Sequence, residues 1–170
     1  GAGRAMKLPE IIGTVGGVGY LKPAPGTWGS LAALPLAWLF HAIGGPWLLG
    51  FAILSGFIKG LWATSHLTQG QEDHDPSYIV VDEVVGQWIA ILPLSIGAAH
   101  AGVSILALWP GWLAAFVLFR FFDITKLGPV GWADRREGPL GVMLDDVIAG
   151  VFAAIGVLIF AGISHGLLGV

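Results

Sequence analysis

The sequence predicts an all-α, polytopic membrane bundle of about five spans, and three observations predict it. Hydrophobic residues make up 55% of the chain and charged residues only 11%. Mean hydropathy is +0.80, outside the range of ordinary soluble domains. Finally, residues 23–58, 84–119 and 147–170 contain no Asp, Glu, Lys or Arg, and the charges cluster between these stretches.

The candidate spans run at about 28–43, 46–64, 83–99, 103–121 and 144–164, near the roughly 17–25 residues that cross the hydrocarbon at about 1.5 Å per residue. With the N-terminus inside, the loops at 65–82 and 122–143 share one face. Lys7, Lys22, Arg120, Lys126, Arg135 and Arg136 make it the cytoplasmic face under the positive-inside rule. The first span is short and holds Pro35, so four crossings plus a re-entrant segment is the alternative. Pro93 and Pro110 are expected to kink the third and fourth spans. Several of the eight tryptophans fall near span ends, as interfacial anchors do. Gly56 and Gly60 permit close helix approach, and Lys59 can snorkel to the interface.

A chain of 170 residues gives room for one compact helical domain, expected over residues 6–170. Gly1 to Ala5 precede Met6 and read as an expression remnant, with Met6 as the natural start. Lys7-Leu8-Pro9-Glu10 and the Gly-rich stretch that follows do not form a secretory signal. The chain has no Cys, which excludes disulfides, thiolate metal sites and cysteine nucleophiles. Oxygen and nitrogen ligands remain. No nucleic-acid partner is expected.

Two acidic pairs, Asp82-Glu83 and Asp145-Asp146, each stand at the head of an apolar segment. A charge near hydrocarbon costs at least a few kcal/mol unless it is paired, solvated or bound to a cation. The pairs share a local pattern, Val81-Asp82-Glu83-Val84-Val85-Gly86 beside Leu144-Asp145-Asp146-Val147-Ile148-Ala149-Gly150. Helical side chains lean toward the N-terminus, so a glycine four residues after an acid leaves open the space a larger side chain would cover. Neighbouring carboxylates point about 100° apart, so the two acids of a pair meet different partners. Two readings fit: ligands of a divalent metal, or complements to a helix N-terminus worth about 0.3–1 kcal/mol each.

Asp123 falls at the other end of its span, where it opposes the helix dipole and capping cannot explain it. Arg120, Asp123 and Lys126 follow at intervals of three and fit either a structural salt bridge or part of a site. Asp134-Arg135-Arg136 in the same loop adds acid and base suited to a metal-bound phosphate. The segment from Gly16 to Ser30 enters the first span from this face. Its glycines, Lys22, Thr27 and Ser30 suit an anion near a helix N-terminus, or a plain turn with an N-cap. His74 precedes Asp82-Glu83 in a polar loop and fits either a general acid or a solvated loop histidine.

Four blocks together resemble the phosphatidylglycerophosphatase A family. They are Lys22-Pro23-Ala24-Pro25-Gly26-Thr27-Trp28-Gly29-Ser30; Ile79 through Asp82-Glu83 to Trp88; Phe119-Arg120-Phe121-Phe122-Asp123-Ile124-Thr125-Lys126; and Asp134-Arg135 through Asp145-Asp146 to Gly150. They occur in the family's order from about Gly13 to the last span. Two departures stand in the loop: Lys126-Leu127-Gly128-Pro129 replaces the usual Lys-Pro-aromatic-Pro, and Gly131 sits where a basic residue is common.

The resemblance implies a bacterial inner-membrane, Mg²⁺-dependent phosphatase acting on phosphatidylglycerophosphate among the membrane lipids, with its active site on the cytoplasmic face. On that basis Asp82, Glu83, Asp145 and Asp146 gather one or two Mg²⁺, and Asp123 completes the shell. Lys22, Arg120, Lys126 and Arg135 hold the terminal phosphate with Thr27 and Ser30. The expected nucleophile is a metal-activated water, with an aspartyl-phosphate route as the alternative. Asp82, Glu83 and Asp146 are thereby catalytic, and Asp134 or His74 relays protons. The rival from another class is a small cation transporter or channel subunit using the same carboxylates. The placement of the acids at one face, away from the midplane, argues against it.

Overall fold

The chain is described here by a computed structural model covering residues 5–70, 76, 78–134 and 138–168, with the backbone alone at 133–134 and 165–168. Every regular element among these residues is helical: α1 (Leu8–Thr14), α2 (Pro25–Thr68), α3 (Val81–Ala101), α4 (Trp109–Thr125), α5 (Pro129–Asp134) and α6 (Pro139–Leu168). Four of them, α2, α3, α4 with its preceding turn, and α6, are long and apolar enough to cross a membrane. The chain is an all-α membrane bundle.

α2 consists of two helical arms. Its 44 residues would extend about 66 Å as one rod, twice the hydrocarbon thickness. It folds back at Gly45, whose φ of 64° and ψ of −158° leave the helical region. A glycine takes such a φ without the Cβ clash that other residues meet, and Pro46 is preset to start the next helix.

Contacts with α3 fix the direction of each half. Gly29 lies against Val80, the Ala33 carbonyl accepts the Trp88 indole N–H at 3.0 Å, and His41 Nδ1 lies 2.6 Å from Ser95 Oγ. Numbers rise together, so residues 25–44 run parallel to α3. In the second half Gly56 faces Val85 and Trp88, while Gly60 faces Val81 and Met143. These numbers run oppositely, so residues 46–68 return antiparallel. Residues 25–44 and 46–68 are therefore two helical arms folded back on one another at Gly45, where the sequence places the boundary between its first two spans.

α1 lies at the entrance to α3. Its Gly13 carbonyl accepts the Val80 N–H at 2.8 Å, and Tyr20, which stacks on Tyr78, donates its hydroxyl to Glu10 Oε1 at 2.7 Å. Two expectations need correction. Pro110 falls in the first turn of α4, where its missing N–H costs nothing, so it starts that helix instead of kinking it. The last helix begins at Pro139, ahead of the expected 144, because Met143 packs under Gly60 and draws the preceding turn into the bundle.

α3 is the central helix, and it crosses α6 almost backbone to backbone. A Cβ added at Gly86 would lie 2.6 Å from the Asp146 carbonyl oxygen and 2.8 Å from Phe119 Cζ; one at Gly150 would collide with the Gly86 carbonyl. Backbone atoms cannot swing aside as a side-chain tip can. Gly150→Ala should therefore lower the apparent melting temperature of the purified protein, corresponding to about 1–3 kcal/mol of overpacking. Gly50→Ala, where nothing lies within 4 Å of the new Cβ, should leave it unchanged or raise it. Equal shifts in the two variants would contradict the crossing.

Candidate active site

The crossing of α3 and α6 determines where the acids go. Asp82 stands one turn before Gly86 and Asp146 one turn before Gly150, so bringing the glycines together brings the two carboxylates to one place. Oxygens of Asp82, Asp145 and Asp146 lie within 4.8 Å of one another, and so do oxygens of Glu83, Asp123 and Asp146. Asp146 belongs to both groups. The 100° offset between neighbours sends Asp82 to one group and Glu83 to the other.

Asp82, Asp123, Asp145 and Asp146 are only 4%, 7%, 3% and 1% exposed, which leaves little water to solvate them. Asp82 Oδ1 and Asp146 Oδ1 have no hydrogen-bond partner among the described residues. Asp145 and Asp146 lie in the second turn of α6, which begins at Pro139. Dipole complementarity fades within the first turn and does not account for them. Two buried carboxylate oxygens that no protein donor meets among the described residues are suited to a hard divalent cation, for which an all-oxygen ligand set is the fitting one.

α4 supplies the counter-charge from its C-terminal end, with Arg120 inside the helix and Lys126 at its C-cap. Arg120 Nη1 donates to Asp123 Oδ2 at 2.8 Å, and Lys126 Nζ donates to Asp123 Oδ1 at 3.3 Å and to Asp145 Oδ2 at 2.8 Å. Lys126 therefore ties the end of α4 to α6. It caps α4 in the left-handed region at φ 54°, which costs a residue with a Cβ about 1–2 kcal/mol. Burial alone would depress the Lys126 ammonium, but the Asp123 and Asp145 carboxylates outweigh it and hold its pKa above the ordinary 10.5.

The first turn of α2 closes the site from the remaining side. A Cβ at Gly26 would lie 3.1 Å from Glu83 Oε1 and 3.4 Å from Arg120 Nη1, so glycine is what lets this backbone approach. Thr27 follows, half-buried, and Ser30 is fully buried with an unpartnered Oγ. Lys22 is exposed, and its carbonyl accepts the Trp28 indole N–H at 3.3 Å. No ion pair joins it to the acids among the described residues. His74, Arg135 and the Asp134 side chain lie outside the described residues.

The structure thus gathers Asp82, Glu83, Asp123, Asp145, Asp146, Arg120 and Lys126, with Thr27 at the edge. Sequence reasoning missed Gln87, which is fully buried in α3 with both amide atoms unpartnered. It is the one amide in the apolar run from Val84 to Leu94, a weak signal without its burial.

The model of the family described as phosphatidylglycerophosphatase A matches residues 11–161. Phosphatidylglycerophosphatase A of Escherichia coli K12 is 35% identical over 168 residues, covering 97% of this chain and 90% of the relative. That of Haemophilus influenzae is 38% identical over 140 residues, 82% of this chain and 80% of the relative. A Bacteroides thetaiotaomicron protein named putative phosphatidylinositol-3-phosphatase is 36% identical over 156 residues, 89% of this chain and 92% of the relative. No solved structure matches the chain.

Removing the Lys126 charge should leave two buried carboxylates facing each other. For a side chain 34% exposed the loss falls between the exposed-pair and buried-pair ranges, about 1–3 kcal/mol. Lys126→Met should lower the apparent melting temperature by that equivalent, and adding Asp145→Asn should recover part of it. Simple additivity of the two changes would contradict the bridge.

Proposed function

The chain belongs to the phosphatidylglycerophosphatase A family, and from that premise we propose that it hydrolyses the terminal phosphate monoester of phosphatidylglycerophosphate. The reaction takes place at the cytoplasmic lip of a bacterial inner membrane, yields phosphatidylglycerol and phosphate, and depends on Mg²⁺. The observation that carries this reading is the pair of buried carboxylate groups sharing Asp146, with Arg120 and Lys126 beside them.

The donor set fits the cation. Asp82 and Asp146 each present an unpartnered buried oxygen, and the ligands are all carboxylates, as magnesium favours. Asp82, Asp145 and Asp146 would hold one ion, and Glu83, Asp123 and Asp146 would complete the place for a second. Bound Mg²⁺ supplies Lewis-acid stabilisation of the phosphoryl oxygens and lowers the pKa of water.

The chain's own groups do the rest. Arg120 and Lys126 already face this cluster and share their donors between Asp123, Asp145 and the arriving phosphate. Thr27, beside the close approach at Gly26, offers a hydroxyl to the same phosphate. Phe119, fully buried, lies against Gly86 and packs beside the cluster. Water adds to phosphorus in line as the bond to the glycerol oxygen breaks, and that oxygen leaves with a proton. His74 and Asp134 are the candidate relays for that proton, from their places in the sequence.

Phosphate release from phosphatidylglycerophosphate should require Mg²⁺, and Asp82→Asn and Asp146→Asn should each lower it at least about 100-fold. Binding gives an independent readout. Mg²⁺ at 100 times its Kd should stabilise the wild type by about 2.7 kcal/mol, and Asp146→Asn should lose this rise while melting higher without Mg²⁺. Full activity in chelator, or in both variants, would sink the metal assignment.

A further inference from the structure

One turn inside the acidic cluster, the bundle holds neutral polar groups that the phosphate chemistry does not use. Gln87 is fully buried, with neither Oε1 nor Nε2 partnered among the described residues, and Ser30 Oγ is in the same condition. Buried polar groups are as a rule hydrogen-bonded. Two such groups left open near a site point to something that arrives there.

Their positions are related. Gly26 of α2 lies against Glu83 of α3 and Arg120 of α4. Ser30 follows Gly26 by four residues and Gln87 follows Glu83 by four, so each lies one turn further along the same face of its helix. This half of α2 runs parallel to α3, so both step inward from the same contact. Arg120 contributes a third open group, its buried Nε. Unpartnered donors and acceptors from three helices therefore stand just inside the phosphate end of the site.

We propose that Gln87 and Ser30 form a neutral subsite that binds the free hydroxyl of the substrate's glycerol headgroup. The inference rests on the phosphatase reading above. An amide offers a donor and an acceptor together, which is what an alcohol needs, and it carries no charge to compete for phosphate. The geometry of the lipid agrees: with the terminal phosphate among the acids, the chain back toward the acyl tails passes glycerol first, on the membrane side. The acids and the two cations read phosphate and are indifferent to the polyol that carries it. Relatives of near-equal identity bear the names of a glycerophosphate and an inositol lipid phosphatase, so headgroup choice calls for groups beyond the acids.

The test compares phosphatidylglycerophosphate with an analogue whose headgroup is propane-1,3-diol phosphate, lacking only the middle hydroxyl, on the full-length protein in mixed micelles. Wild type should prefer the natural headgroup by roughly tenfold or more in kcat/KM. The volume-conserving Gln87→Met should bring that ratio close to one by slowing the natural substrate alone, and Ser30→Ala should lower it partway. Should Gln87→Met fail to fold, Ser30→Ala carries the comparison. Equal kcat/KM for both substrates in wild type, or an equal loss on both in the variants as expected if the pair only holds structural water, would overturn the subsite and leave the phosphatase reading standing. No hydrolysis of phosphatidylglycerophosphate by wild type would overturn both.

Discussion

The contact between the Gly86 and Gly150 backbones is the constraint on which the rest depends. Two helices that touch without side chains between them carry whatever lies one turn earlier into the same small volume, and here that is Asp82 and Asp146. Their oxygens come within 4.8 Å. At an effective dielectric of about 20, two like charges at that distance repel by roughly 3–4 kcal/mol. Apolar packing of α2, α3, α4 and α6 has to hold the helices there against it. On the reading proposed above, a cation bound there would relieve this repulsion.

The remaining groups are arranged around that point by the ends of the helices. The C-terminal end of α4 brings Arg120 and Asp123, and the left-handed cap at Lys126 directs an ammonium across to Asp145. The first turn of α2 arrives beside Glu83 through the opening at Gly26. Two cations face the five carboxylates Asp82, Glu83, Asp123, Asp145 and Asp146 among the described residues, so the site stays acidic as built. Such a balance suits a metal that brings phosphate with it, and it suits a bare phosphate poorly. The acids lie at one end of the bundle, where the proposed lipid headgroup would reach them, and not halfway along it.

Much of this was legible in the chain. The gaps between charge clusters place the apolar segments, and the length of the first one, too long for a single span, puts a break near Gly45. The recurrence of an acid four residues before a glycine marks the two helices that meet. The spacing of Arg120, Asp123 and Lys126 gives the face of α4. What could not be read is pairwise: an open space beside Gly86 is visible in sequence, but its occupant, the backbone of α6, is not. Gly26 looked like part of a turn, since only the folded chain sets Glu83 and Arg120 against it. Gln87 was passed over because an amide in an apolar run says little until its burial and lack of partners are known. Pro110 was read as a kink, because a proline's effect depends on where the helix starts.

The claim that backbone contact builds the cation site is tested most directly by changing the contact and leaving every carboxylate in place. Mn²⁺ bound by the purified wild type and by Gly150→Ala can be counted from the loss of the free-ion paramagnetic resonance signal. Wild type should bind Mn²⁺ in competition with Mg²⁺, and Gly150→Ala, its acids intact, should bind at least about tenfold more weakly. Equal affinity in the two proteins would show that the acids find one another without the crossing and would contradict the account.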